Sequence, residues 1–182
     1  MKVSAVLIKY QRLDELKKIC DHLETFDFID EILIHDNTED NLKLYGRYVT
    51  ALKARNDTIY VQDDDCIVDV EKLFSHYDGT RLVNGMKAES INYYRGRDSL
   101  VGWGAFFDKA WIKVLDKYID EYGEDDIFIR ECDRIFTSLL PRRTVAVDVK
   151  DFPSATSEDA LYKQKKHKVY LEEALKRVRE IL

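Results

Sequence analysis

The sequence predicts an α/β fold in which a mostly parallel sheet carries helices on both faces. Three observations lead there. Apolar runs and helical stripes alternate as strand, helix, strand, helix, strand between residues 3 and 61, the pattern of a parallel sheet whose crossovers are helices. Each of the three runs ends in polar residues, and open parallel sheets bind ligands beyond the carboxyl ends of their strands. The chain has 182 residues, 45% hydrophobic and 35% charged, which suits one packed domain and leaves little room for two cores.

Val3 to Ile8 reads as the first strand. Leu13, Leu16, Ile19, Cys20 and Leu23 then recur at helical spacing. Glu31 to His35, around Ile32, Leu33 and Ile34, reads as the second strand, and Leu44, Tyr48, Ala51 and Leu52 mark a helix between Leu44 and Arg55. Thr58 to Val61, rich in β-branched and aromatic types, is the third strand. Gly79, Gly85, Gly96, Gly102 and Gly104, five of the seven glycines, fall where helical periodicity disappears, so residues 81–107 are expected as short strands and loops. Lys109 to Tyr118 resumes a helix, with Trp111, Val114, Leu115 and Tyr118 on one side. Gly123-Glu124-Asp125-Asp126 precedes a helix carrying Ile127, Phe128, Cys132, Ile135, Phe136 and Leu139, stopped by Pro141. Thr144 to Val149 is a further strand, and residues 168–182 form a closing amphipathic helix. Residues 1–182 are expected as a single domain, with 150–182 a basic C-terminal segment ending in that helix.

Charge and cysteine usage narrow the function. Lys and Arg number 29 against 35 Asp and Glu, a net charge of -6, which disfavours a nucleic-acid coat or a binder of anionic membranes. From Pro141 onward, ten Lys/Arg face seven Asp/Glu, so an acidic body joins a mildly basic tail. Cys20, Cys66 and Cys132 are odd in number and far apart, which argues against a disulfide framework or a zinc ribbon and for three buried small hydrophobes in a reducing compartment. No apolar run approaches a membrane span and no signal peptide is visible, so a cytoplasmic protein is expected.

The chemistry concentrates at Asp63-Asp64-Asp65, at the end of the third strand. Adjacent carboxylates repel one another, and a cation relieves that cost. Oxygen donors without Cys or His suit Mg²⁺ or Mn²⁺, which bind through one or two carboxylates plus substrate phosphates. The alternative is a solvated turn capping the next helix. An EF-hand loop starting at Asp63 would need Gly and Glu where the chain has Val68 and Phe74. No Gly-x-x-x-x-Gly-Lys phosphate loop is present, and Tyr10-Gln11-Arg12-Leu13 lacks the glycines of a pyrophosphorylase loop. An Asp-dependent phosphohydrolase would place its Asp-x-Asp on the first strand, whereas here two strand–helix units come before it.

The order of these features resembles the GT-A-type glycosyltransferases, nucleotide-sugar-dependent enzymes of the family 2 and exostosin-like kind. The resemblance runs over most of the chain: Val3-Ser4-Ala5-Val6-Leu7-Ile8 followed by Arg12, then Glu31 to Asn37, the strand ending in Asp63-Asp64-Asp65, the loop Gly102-Trp103-Gly104, Gly123-Glu124-Asp125-Asp126, and a C-terminal His167. It implies a single-domain, Rossmann-like α/β/α sandwich. It further implies transfer of a sugar from a nucleoside-diphosphate donor, UDP-linked, to an acceptor hydroxyl with Mn²⁺ or Mg²⁺.

By that resemblance Asp65 ligates the metal, Asp63 contacts the metal or the donor ribose, Asp64 lies at the donor site and His167 is a further ligand. His167 also lies within a lysine-rich run that reads equally as a solvated face. Asp125, with Glu124, is the expected base for the acceptor hydroxyl; the alternative is a helix cap favoured by the macrodipole. Gly102 and Gly104 would let backbone approach the sugar, with Trp103 stacking on it. Asp36 and Asn37 would face base or ribose, Tyr10 would stack on the base, and Arg12 or Arg47 would pair with phosphate. His22, His35 and His76 are expected to be structural. The chain is short for the family and lacks its added domains, so the acceptor is expected to be soluble: a glycan, a protein side chain or a modified nucleobase. A non-catalytic nucleotide-sugar binding module is the alternative, and stereochemistry stays open.

Overall fold

The structure is a computed structural model that describes residues 1–91, 100–156 and 163–182, so Gly96 lies outside the described residues. Its main sheet contains β1 (Val3–Lys9), β2 (Ile29–Asp36), β3 (Thr58–Gln62), β5 (Leu82–Met86), β6 (Ala105–Asp108) and β7 (Arg142–Ala146), in the spatial order β2-β1-β3-β6-β5-β7. β1 is parallel to β2 and β3, and β5 is parallel to β7; β6 alone runs the other way, antiparallel to β3 and β5. A small second sheet pairs β4 (Cys66–Val68) with β8 (Val149–Asp151). The α-helices among the described residues are α1 (Leu13–Leu23), α2 (Gly46–Ala51), α3 (Val70–Phe74), α4 (Asp116–Tyr122), α5 (Asp126–Ser138) and α6 (His167–Ile181).

Alternation along the inner strands builds two cores. Ala5 and Leu7, Tyr60, Val83 and Phe106 point to one face, where Leu16, Ile19 and Leu23 of α1 and Val70 and Leu73 of α3 cover them. Val6, Ile59 and Val61, Leu82 and Phe107 point to the other, under Tyr48 and Ala51 of α2, Tyr118 of α4, Phe128, Cys132, Ile135 and Phe136 of α5 and Ala174 and Val178 of α6. Successive residues of a strand face opposite sides, so strands covered on both faces read as the continuous apolar runs seen in the sequence. Each fully buried Leu, Ile or Phe contributes about 1.5–3 kcal/mol through removal of apolar surface from water.

The register levels the strand ends. Lys9 pairs with Asp36 and Leu7 with Gln62, so the segments after β1, β2 and β3 emerge at one rim. Because β6 is antiparallel, its first residue, Ala105, lies opposite Val61, and the preceding Gly102-Trp103-Gly104 reaches the same rim.

The differences from expectation have local causes. The second helix is only Gly46–Ala51, with turns on either side, rather than the full span to Arg55. Lys109–Leu115 is a 3₁₀ segment leading into α4. The strand expected over 144–149 divides into β7 and β8, which belong to different sheets. β4 and α3 were not anticipated; three and five residues are too few to display a period. Cys66 and Cys132 are buried, but Cys20 is half-buried on α1.

Candidate active site

Asp63, Asp64 and Asp65 leave the end of β3 at this rim, and each is anchored differently. Asp63 accepts a hydrogen bond from Arg47 Nη2 at Oδ1, 2.6 Å, while its side chain stays 41% exposed. Asp64 Oδ1 accepts from Arg12 Nη1 at 2.8 Å, and the same nitrogen lies 3.5 Å from Asp65 Oδ2. The backbone holds the turn from both sides: Asp63 N–H donates to Gly102 O at 2.9 Å, and Phe152 N–H, just past β8, donates to Asp65 O at 2.7 Å.

This packing leaves the triplet short of positive charge. Burial, opposed by Arg12 and reinforced by Asp63, pushes Asp64 up to about 6. Burial and then the charge of Asp63 push Asp65 up to about 7, against the pull of Arg12. Behind Asp63, Arg47 also faces Asp133 Oδ2 of α5 at 3.4 Å, and burial raises Asp133 to about 6 despite that guanidinium. Among the described residues, these four carboxylates share two guanidiniums, a deficit of two charges when all four are ionised.

The glycine loop closes against the triplet. A Cβ on Gly102 would fall 2.1 Å from Asp63 Oδ2, so only glycine allows this approach. Gly104 adopts φ +86, a conformation that favours glycine, and Gly85 N–H donates to Gly104 O at 2.8 Å. The Trp103 ring has Lys87 Nζ 5.0 Å from its centroid, and Lys87 also pairs with Asp151. Gln11 and Lys43, the non-glycine residues with positive φ among those described, lie in the connections after β1 and β2.

The flank of the rim is differently built. Asp36 accepts from Lys9 and from Thr38 N at 2.9 Å, bonds that hold it at about 2. Asn37 is buried; its Nδ2 donates to Lys43 O at 3.1 Å, and its Oδ1 has no partner. Tyr10 is exposed. Asp125 caps α5, accepting from Phe128 N at 2.8 Å, and its second oxygen meets Arg177 Nη1 of α6 at 2.7 Å. Glu124 accepts from Tyr45 OH at 3.2 Å. Asp126 pairs with Lys43 and Arg130, whose hydrogen bonds outweigh burial and hold it at about 2. His167 Nδ1 lies 3.0 Å from Glu131 of α5, at a point where α5 departs from helical geometry (φ -108, ψ 16).

No protein-family profile and no curated protein sequence matches the chain. Solved structures match its fold. The crystal structure of S. aureus TarS 1–349 gives a TM-score of 0.61 at 12% identity, over 100% of this chain and 65% of that one. Glucosyl-3-phosphoglycerate synthase from Mycobacterium tuberculosis, in complex with Mn²⁺, UDP-glucose and phosphoglyceric acid, gives 0.55 at 14% identity, over 98% and 80%. The glycosyltransferase GlyE of Streptococcus pneumoniae TIGR4 gives 0.56 at 12% identity, over 99% and 63%.

The chain has the GT-A glycosyltransferase fold. It spans 65% of the TarS structure and 63% of GlyE. Within this GT-A fold the Asp triplet meets Arg12 and Gly102 at one rim, with Trp103 next in the same loop. Arg47 lies behind that rim, 1% exposed and bound to two carboxylates, rather than open towards a phosphate. Among the described residues no three His, Cys, Asp or Glu side chains gather as a metal cage, so His167 does not join Asp63 and Asp65 at one point. Two exposed-to-half-buried carboxylates with a two-charge deficit still fit a hard dication that takes its remaining ligands from a diphosphate. Sequence reasoning missed Asp133, Glu131 and Lys87. For Asp133 a signal was present: it lies four residues after Ile129 and three before Phe136, an acid set into an apolar stripe.

Proposed function

We propose that this chain is a metal-dependent glycosyltransferase that moves a sugar from a UDP-linked donor to an acceptor hydroxyl. The observation that carries the reading is the unbalanced triplet at the strand-end rim of a GT-A fold. The Mn²⁺ and UDP-glucose described for the mycobacterial synthase, and the UDP-GlcNAc described for a TarS complex, supply the donor class by analogy.

Asp63 and Asp65 would hold Mn²⁺ or Mg²⁺, and the bound ion would neutralise charge developing on the diphosphate leaving group. The other tasks fall to the chain's own groups. Tyr10 offers an exposed ring for stacking on the base, beside Asp36 and Asn37 at the end of the neighbouring strand. Gly102 and Gly104 keep side chains out of the sugar's path, and Trp103 supplies an apolar face beside it. Asp64 keeps Arg12 at the rim, where the guanidinium offsets negative charge. Asp125 takes the acceptor proton, or orients the hydroxyl in a retaining reaction, after exchanging Arg177 for the acceptor. No helix among the described residues is long and apolar enough to cross a membrane, and a soluble glycan, protein or modified nucleobase is the acceptor class we favour.

A second reading has one observation in its favour. Both Asp125 oxygens are engaged, which suits a nucleotide-sugar binding module without turnover. Thermal unfolding with a panel of nucleotides and nucleotide sugars, with and without Mn²⁺, tests binding: a rise in Tm specific to uridine ligands plus Mn²⁺ is expected. Mn²⁺-dependent release of UDP from a UDP-sugar then separates enzyme from module. Binding with no release under any acceptor leaves the module; no binding at all removes both.

A further inference from the structure

The guanidinium of Arg47 is buried behind the triplet with only part of its bonding capacity used. Nη2 donates to Asp63, but Nη1 and Nε have no hydrogen-bond partner. Its second counter-charge is Asp133, 3.4 Å from Nη1, an ion pair without hydrogen-bond alignment. Asp133 is in turn fixed by Tyr48 OH, which donates to its Oδ1 at 2.9 Å. Arg47 and Tyr48 are neighbours on α2, while Asp133 comes from α5, so two helices meet in this buried cluster behind the end of β3.

The charges set a problem that Asp133 solves. A buried guanidinium needs a compensating anion. If Asp63 were the sole compensator, its charge would be spent on Arg47, and Arg47 would repel a dication approaching from the open side. With Asp133 present, Arg47 and Asp133 form a neutral pair, and Asp63 keeps a full negative charge on its exposed side while Arg47 fixes its orientation. We propose that Asp133 is a positioning residue that acts through Arg47 to keep Asp63 available to a divalent cation. The inference rests on the reading of the rim as a cation and diphosphate site.

Mn²⁺ titration of the full chain, followed by the EPR signal of free Mn²⁺ with and without UDP, tests it. Asp133→Asn, which keeps the shape and removes the charge, is expected to weaken Mn²⁺ affinity about tenfold or more, within the range for groups that support metal ligands. Tyr48→Phe, which frees the Asp133 carboxylate, gives a smaller loss of the same sign. The double variant Arg47→Gln/Asp133→Asn removes both charges and recovers most of the affinity lost in Asp133→Asn, a recovery that a merely structural role would not produce. Wild-type Mn²⁺ affinity in Asp133→Asn and Tyr48→Phe, or a double variant weaker than either single one, overturns the inference and leaves the proposed function standing. Absence of Mn²⁺ and UDP binding by the unmodified chain removes both.

Discussion

Two acidic regions of this chain use the same residue type to opposite ends. At Asp36 and at Asp126, each carboxylate has its own cation, Lys9 in one case and Lys43 with Arg130 in the other, and both are held at about 2. At Asp64 and Asp65, burial and mutual repulsion win over a shared Arg12, and the carboxyls rise to about 6 and about 7. The first arrangement stabilises the free protein. The second leaves repelling carboxylates whose charge is relieved by a proton or by an added cation, the kind of perturbation that marks a candidate site more than a surface ion pair does. Asp125 belongs by its bonding to the first kind, so its part in turnover is the point most open to test.

The contrast can be broken most directly at Asp65. Asp65→Asn is expected to reduce Mn²⁺-dependent UDP release by about 10²–10³-fold, the scale of losing one electrostatic stabiliser of the leaving charge. In the metal-free protein the same change raises Tm by about 2–4 °C, because one member of a repelling group is neutralised. Loss of both activity and stability would instead mark Asp65 as a structural residue. Asp125→Asn comes next: asparagine keeps the helix cap, so a fall in kcat of about 10²-fold or more at constant KM identifies the base. Unchanged kcat with a small loss of stability returns Asp125 to its cap and to Arg177.

Glycines sharpen the same comparison. Gly102→Ala would push a methyl into Asp63 Oδ2, so the carboxylate must turn aside, and Mn²⁺ and UDP binding are expected to weaken while Tm changes little. Gly123→Ala has open space but a φ of +74, so it costs about 1 kcal/mol in denaturant unfolding and leaves binding intact. The smallest effect is with pH. Asp36 and Asp126 have folded values near 2, below the ordinary carboxylate value of about 3.9. The folded state therefore binds fewer protons than the unfolded one. Their contribution is present above about pH 4 and is lost as pH falls towards about 2, with Lys43→Ala flattening the fall in urea midpoint over that window.

Much of this fold was legible because its inner strands are short and apolar and its helices carry stripes, as in β1, α1, β3 and α5. The triplet and the glycine loop were legible because their residue types are unusual at strand ends. Arg47, one of two arginines expected to face phosphate, is instead buried against Asp63 and Asp133. In sequence it lies three residues after Leu44 and four before Ala51, on the apolar face of α2, and that placement already implied a buried cation in need of acids. Which acids could not be read, since Asp133 is brought to Arg47 only by the packing of α5 on α2. His167 illustrates the reverse: a lysine-rich neighbourhood suggested metal or solvent, and the partner is Glu131, buried where α5 is bent. β4 and α3 escaped because local pattern is weak in elements of three and five residues.

The bond from Phe152 N–H to Asp65 O, together with the pairing of β4 and β8, ties the triplet to a segment made long after it during synthesis. A nascent chain that has completed β1, β2 and β3 already possesses the three aspartates but lacks the strand that clamps their turn. The turn that carries the triplet is therefore fixed by a late, long-range contact, and its final geometry is reached only once residues 149–152 have docked.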